Sequence, residues 1–334
     1  DPRFGTNELY KTMVDELHQQ QMKIIMDIVP NHIGNNHWLY KNLPSKDWVH
    51  QFPAFTKTNY RAPALMDPYA SNYDKDLMRN GWFDVHMPDL NQQNPHVGRY
   101  LTQNYIWWAE FAGIDGFRID TYPYPDQEYL ADMVQAIKEE FPDIGIFAEI
   151  WDHGVAMQSW FSGGFKAKNL DSYLPSVLDF QLYFAINDAL TKDFGWTDGT
   201  SRLYYTLAQD FLYEHAFSNV TFLDNHDQSR FTSIVGEDIR KFKTGINWLM
   251  TLRGTPQLYY GTEIMMKNFA DPDGKVRSDF PGGWAADSLN KFEKSGRNAI
   301  ETEAFNHLRK LAHWRKTNKA ITEGKLMQFV PEKG

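Results

Sequence analysis

Short, unbroken apolar runs alternate with longer amphipathic stretches along most of the chain. The first is Ile24-Ile25-Met26-Asp27-Ile28-Val29, and similar runs fall at 114–119, 144–150, 177–180, 220–223 and 257–260. Runs of this length suit strands buried on both faces. Between them lie helical patterns. Thr6 is a good N-cap for a helix over 6–20, with Leu9, Met13 and Leu17 on one stripe. Further helices are predicted at 95–112, 127–140, from about 180 through Leu190, and at 203–215, 239–252 and 302–314. Strands that alternate with helices predict a parallel sheet covered by helices.

Six strands can be counted, whereas a closed (β/α)8 TIM barrel needs eight. The chain also opens on a helix that should follow a strand, so the first two barrel strands are expected to lie outside it. An open doubly wound sheet would accommodate six strands. The barrel is preferred because candidate functional residues end at least four different strands, and an open sheet would gather its site at a switch point. Residues 32–94 form a long polar and aromatic segment with Pro44, Pro53, Pro63, Pro68 and Pro88. A connection this long should be functional or a small subdomain.

The formal net charge of −9 argues against a nucleic-acid surface, which needs clustered Lys and Arg. No apolar run is long enough to insert in a membrane as a helix. The chain has no Cys, so disulfides and thiolate chemistry are excluded. Eleven Trp and an aromatic share of 15% are compatible with rings that stack on sugars, although aromatics also fill cores. No signal peptide is visible, and the opening Asp-Pro-Arg-Phe-Gly-Thr reads as an internal loop.

Three acids end separate apolar runs: Asp120 in Gly116-Phe117-Arg118-Ile119-Asp120, Glu149 in Phe147-Ala148-Glu149-Ile150-Trp151, and Asp227 in Phe222-Leu223-Asp224-Asn225-His226-Asp227. Strand C-termini of a parallel barrel face one mouth, where carboxylates suit glycosidic bond cleavage. Arg118 precedes Asp120 by two positions and so shares its face of the strand. A guanidinium there would keep a nucleophilic Asp120 charged. By itself this spacing reads equally as a structural ion pair. The apolar neighbours of Glu149 suit a general acid, although alone it reads better as a strand-end Glu paired with Lys or Arg. Asn225, His226 and Asp227 could grip sugar hydroxyls. A His-Asp metal site for phosphoester hydrolysis is the weaker alternative, since no helical His-x-x-x-His pair joins His32. Asp27 and Asn31 should organise the loop after the first run, with His32 reaching toward ligand.

Together these motifs resemble the α-amylase superfamily (glycoside hydrolase family 13). Asp27–His32, Gly116–Asp120, Glu149 and Phe222–Asp227 match its strand-three, -four, -five and -seven motifs in order, and 253–263 is similar to its eighth strand. The resemblance implies a retaining α-glucan hydrolase, with Asp120 as nucleophile, Glu149 as acid/base and Asp227 as transition-state stabiliser. Arg118 would orient Asp120, and His32 and His226 would hydrogen-bond the reacting sugar. Trp151 would stack on the leaving-group side, and Arg277 would contact more remote sugars. The implied organisation is a barrel part at 1–34, a small inserted domain at 35–94, the rest of the barrel at 95–325 and the start of a C-terminal β-domain at 326–334. Met87-Pro88-Asp89-Leu90-Asn91 is similar to the neopullulanase and cyclomaltodextrinase branch, which points to malto-oligosaccharides, cyclodextrins, pullulan or starch as partners.

Two departures stand out. Many family members place Lys and His three and four positions after the nucleophile, where this chain has Pro123 and Tyr124. No cofactor or catalytic metal is expected. A structural calcium stays open, with Asn31 and the Tyr124 carbonyl as its candidate ligands. A same-fold transglycosylase or isomerase is the alternative activity. A non-catalytic subunit of the kind that accompanies amino-acid transporters is disfavoured by the three retained acids. A homodimer is compatible with the branch, and a periplasmic or secreted location is preferred over a cytoplasmic one. The incomplete strand count predicts that this stretch alone is not a stable, active enzyme.

Overall fold

The computed structural model describes residues 2–332. They form two compact units, one of 2–177 with 212–214 and the other of 178–211 with 215–332.

The first unit is built on three parallel strands, β1 (Ile25–Ile28), β2 (Gly116–Ile119) and β3 (Gly145–Ala148), in the order β1-β2-β3. Ile25 pairs with Gly116, Gly116 with Gly145, Ile28 with Ile119, and Ile119 with Ala148. A parallel bridge from Ala148 to Val177 adds a fourth position. Helix α1 (Asn7–Gln19) precedes β1, and its N-cap Thr6 accepts the Leu9 N–H as expected. The segment after β1 carries only short helices, α2 (Trp38–Lys41) and α3 (Asn72–Asn80), and 3-10 turns. It is tied back by bridges His32–Asp89 and Val49–Leu90.

Helix α4 (Pro95–Ala112) leads to β2, and α5 (Gln127–Glu140) leads to β3. Proline opens α4 behind an Asn94 cap, and Gly113 ends it at φ 70°, a left-handed position that costs glycine nothing. Phe117, Ile119, Ile146 and Ala148 are buried together with Leu101, Tyr105, Met133, Val134 and Ile137 from these helices. Burial on both faces explains the unbroken apolar runs. Gly116 is needed for close approach, because a Cβ there would lie 2.7 Å from the Gly145 carbonyl oxygen.

After α6 (Val155–Trp160), the second unit begins with a parallel bridge between Leu178 and Val220. Its strands β4 (Val220–Thr221) and β5 (Thr255–Pro256) are parallel. The helices are α7 (Phe180–Thr191), α8 (Thr200–Leu207), α9 (Phe231–Ile234), α10 (Ile239–Thr251), α11 (Ala299–Thr317) and α12 (Lys319–Thr322). Leu182, Ile186, Leu203, Leu223, Phe231, Phe242, Ile246 and Leu249 form its core, with Ala304 and Leu308 from α11.

Three predicted elements differ from what is found. The run at 177–180 makes only single bridges, because Asp179 caps α7 by accepting the Leu182 N–H and thereby starts a helix at Phe180. The helix predicted over 203–215 stops at Leu207. Asp210 beyond it is held by Arg253, whose Nε lies 2.7 Å from Asp210 Oδ2. The last strand lies at 255–256 instead of 257–260. Gln257 still donates to the Thr221 carbonyl, but Arg230 stacks on Tyr259 and bonds the Tyr260 carbonyl, which draws that backbone out of the ladder.

Candidate active site

In the first unit the parallel ladder runs past the strand ends and fixes two of the acids. The Asp120 N–H donates to the Ile28 carbonyl at 2.9 Å, the Glu149 N–H to Ile119 at 2.8 Å, and the Tyr122 N–H to Glu149 at 3.1 Å. Asp120 and Glu149 therefore stand at adjacent strand ends because β2 and β3 are in register. Thr121, between Asp120 and Tyr122, has φ 47°, a left-handed conformation that is costly for a β-branched residue. Its N–H meets Glu149 Oε2 at 3.2 Å.

Arg118 is the hub. Its Nη1 lies 2.7 Å from Asp120 Oδ1 and 2.8 and 2.7 Å from the two Asp27 oxygens, while Nη2 is 3.0 Å from Glu149 Oε1. Burial opposes its charge, but the carboxylates of Glu149, Asp27 and Asp120 outweigh burial and hold the guanidinium protonated above its ordinary range. The expected contact with Asp120 is present, as is the Arg-paired environment weighed for Glu149. The cross-strand link to Asp27 was not legible. It follows from the register that sets Asp27 opposite Arg118.

His32 stacks on Phe83 with ring centroids 5.1 Å apart, and Nδ1 is 3.2 Å from Asn31 Nδ2. Burial lowers its pKa, a nearby Asp120 raises it and His86 lowers it, so that His32 is biased toward the neutral ring. Trp151 is 49% exposed and helps line a cavity of about 500 Å3 with Tyr60, Arg61, Tyr124 and Asp152. Burial pushes the Asp152 carboxyl up, against the His153 N–H and the charges of His153 and Arg61. Sequence reasoning missed the contribution of Tyr60 and Arg61, which come from the long segment after β1. A larger cavity of about 620 Å3, lined from α4 and α5, holds none of the candidate residues.

In the second unit Asp227 is gripped from two sides. Arg277 Nη2 lies 2.6 Å from Asp227 Oδ1, and His226 Nε2 lies 3.2 Å from Oδ2. Arg277 Nε also donates to the His226 carbonyl at 2.9 Å. Asn225 Oδ1 accepts the N–H groups of Asp227 and Gln228, each at 2.9 Å. Asp224 is buried, accepting from the Thr262 hydroxyl at 2.8 Å and the Phe231 N–H at 3.0 Å, and burial pushes its carboxyl up to about 6. These bonds shape the loop that presents His226 and Asp227.

Among the described residues no group of three or more His, Asp or Glu side chains could hold a metal. Asn31 Oδ1 and Asp89 Oδ1 are both buried without a hydrogen-bond partner and would suit such an ion, while Asp89 Oδ2 lies 2.7 Å from His50 Nδ1.

Residues 1–324 match the family model described as alpha amylase, catalytic domain. The chain is 30% identical over 287 residues to neopullulanase 2 of Thermoactinomyces vulgaris, covering 82% of this chain and 44% of that protein. It is 27% identical over 341 residues to a cyclomaltodextrinase of Geobacillus thermopakistaniensis, covering 97% and 50%. The α-amylase of Geobacillus thermoleovorans, solved with acarbose, superposes with a TM-score of 0.74 at 27% identity, covering 97% of this chain and 64% of that one. The chain thus spans about half the length of the curated relatives it matches.

Proposed function

The chain belongs to the alpha-amylase catalytic-domain family, whose fold is an α/β (β/α)8 barrel, and from that premise we propose that it cleaves α-glucosidic bonds with retention of configuration. The observation that carries this reading is the single guanidinium of Arg118 shared by Asp120 and Glu149 at adjacent strand ends. Two carboxyls that close suit a nucleophile and a proton shuttle.

In the proposed cycle Glu149 donates its proton to the glycosidic oxygen while Asp120 attacks the anomeric carbon. The C–O bond breaks, the leaving sugar departs as an alcohol, and a glycosyl ester forms on Asp120. The Glu149 carboxylate then takes a proton from water, which attacks the same carbon and frees Asp120. The family resemblance assigns sugar hydroxyls to Asp227, which Arg277 and His226 steady, and neutral His32 adds a hydrogen bond to the sugar at Asp120. Glu149 protonates the departing oxygen, and Trp151 and Asp152 follow it in the chain. The cavity they line with Tyr60 and Arg61 therefore receives the leaving sugar. We propose that no metal takes part, because a carboxylate nucleophile and a proton donor complete the reaction.

The finer architecture belongs to the same proposal. Ile25 of β1 is 53% exposed, and β1 pairs through β2 alone among the described strands. A closed barrel leaves no such edge. The free side of β1 accordingly takes a further barrel strand from outside this chain, and 35–94 is a small domain inserted after strand three. The substrates are malto-oligosaccharides, cyclodextrins, pullulan or starch. Product analysis with starch, pullulan and a cyclodextrin side by side on the full-length protein, with Asp120→Asn and Glu149→Gln as controls, tests the reading. Products of the α anomer are expected, with turnover lost in both variants and the fold intact. Turnover in Asp120→Asn close to wild type, or β-anomeric products, would overturn it.

A further inference from the structure

A third cavity, of about 270 Å3, lies in the first unit where α3, the start of α5 and the segment after α6 meet. It contains none of the residues assigned to bond cleavage. Three of its lining side chains carry a buried polar atom that finds no hydrogen-bond partner: Arg79 Nε, Lys168 Nζ and Gln127 Oε1. Buried polar groups are normally satisfied, so three orphans around one cavity call for a ligand. Two are donors and one is an acceptor. A hydroxyl both accepts and donates, and a ring bearing several of them answers all three.

The cavity lining carries the cations Lys75, Arg79 and Lys168 against the acids Asp126 and Glu128. An anion with no hydrogen to donate offers nothing to the Gln127 acceptor. Lys168 Nζ sits over the Trp160 ring, 3.9 Å from its centre, a cation–π contact that places the indole beside the cavity's ammonium. We infer that this cavity is a second carbohydrate site, which holds one glucosyl unit of an α-glucan through Lys168, Arg79 and Gln127, close enough to Trp160 for the indole to report its occupancy. Burial brings the Lys168 ammonium down to about 8, against the charge of Asp171, which raises it. The ligand class rests on the glucan reading above; the site itself rests on the cavity and its orphan atoms.

The test uses full-length protein carrying Asp120→Asn and 5-fluorotryptophan, with the Trp160 resonance in the 19F spectrum assigned by Trp160→Phe. Maltotriose should shift that resonance saturably, and inorganic phosphate should not. Lys168→Met and Arg79→Met should each weaken the response by about tenfold, as expected when a buried hydrogen bond to ligand is lost. In the otherwise wild-type enzyme both variants should keep kcat/KM on p-nitrophenyl maltoside, which also shows that they fold. A Trp160 resonance unmoved by maltotriose, or one moved by phosphate alone, would overturn the second site even if glucan cleavage stands. Failure of the cleavage reading would show separately, as absent hydrolysis by the wild-type enzyme.

Discussion

Replacing Arg118 by Ala removes one cation from three carboxylates at once. The side chain of Arg118 is 12% exposed, against 19% for Asp120, 7% for Glu149 and 52% for Asp27. Asp27 is open enough to be rehydrated and should contribute little. Asp120 and Glu149 would be left as neighbouring buried acids without their cation, a change that costs roughly 3–5 kcal/mol in comparable sites. The two acids would also repel and move apart. Misplacement by about an ångström costs on the order of a hundredfold in rate, and with the lost charge a fall in kcat of about a thousandfold is expected. Arg118→Lys keeps the charge, but a single ammonium cannot reproduce the fork that reaches Asp120 and Glu149 together. It should recover part of the stability while kcat stays about a hundredfold low. Asp27→Asn should leave kcat within about tenfold of wild type, because Asp27 lies on the exposed side of the hub. The assays are urea denaturation and single-turnover release of p-nitrophenol from the maltoside. Full activity in Arg118→Lys, or equal losses in Asp27→Asn and Arg118→Ala, would refute the idea that Arg118 positions both acids.

Three further outcomes are expected. Asp224 has its carboxyl raised to about 6 by burial, so the folded chain binds a proton there that the unfolded chain does not bind until lower pH. Its contribution to stability should therefore rise as pH falls from about 7 toward 4, by roughly 3 kcal/mol in total; in Asp224→Asn that part of the pH dependence of urea unfolding should vanish. Gly116→Ala should destabilise the first unit by about 1–3 kcal/mol, since its methyl would press on the Gly145 carbonyl and part β2 from β3; unchanged unfolding would show that the strands can yield. Arg277→Ala should raise KM and lower kcat by about tenfold each through the loss of its bond to Asp227, and an unchanged KM in steady-state kinetics would show that Asp227 does not depend on it.

Local sequence was enough for the elements whose determinants are local. Thr6 caps α1 as expected, and Asn94 and Asp126 cap the helices predicted from 95 and 127, because a side-chain oxygen and the next turn's N–H groups are only two or three residues apart. The runs ending in Asp120 and Glu149 were legible as strands because burial on both faces demands unbroken apolar residues. The two-residue spacing from Arg118 to Asp120 likewise put their contact on one strand face. What only the tertiary structure decided involves partners distant in sequence. The Asp27–Arg118 link depends on strand register, and Arg277 reaches Asp227 across 50 positions. Arg253 ends one helix early by holding Asp210, and Arg230 pulls Tyr260 out of the last strand. In each case a long cation chooses among several acids or carbonyls. Pattern and propensity cannot rank those choices, because the ranking depends on which groups folding has already buried together.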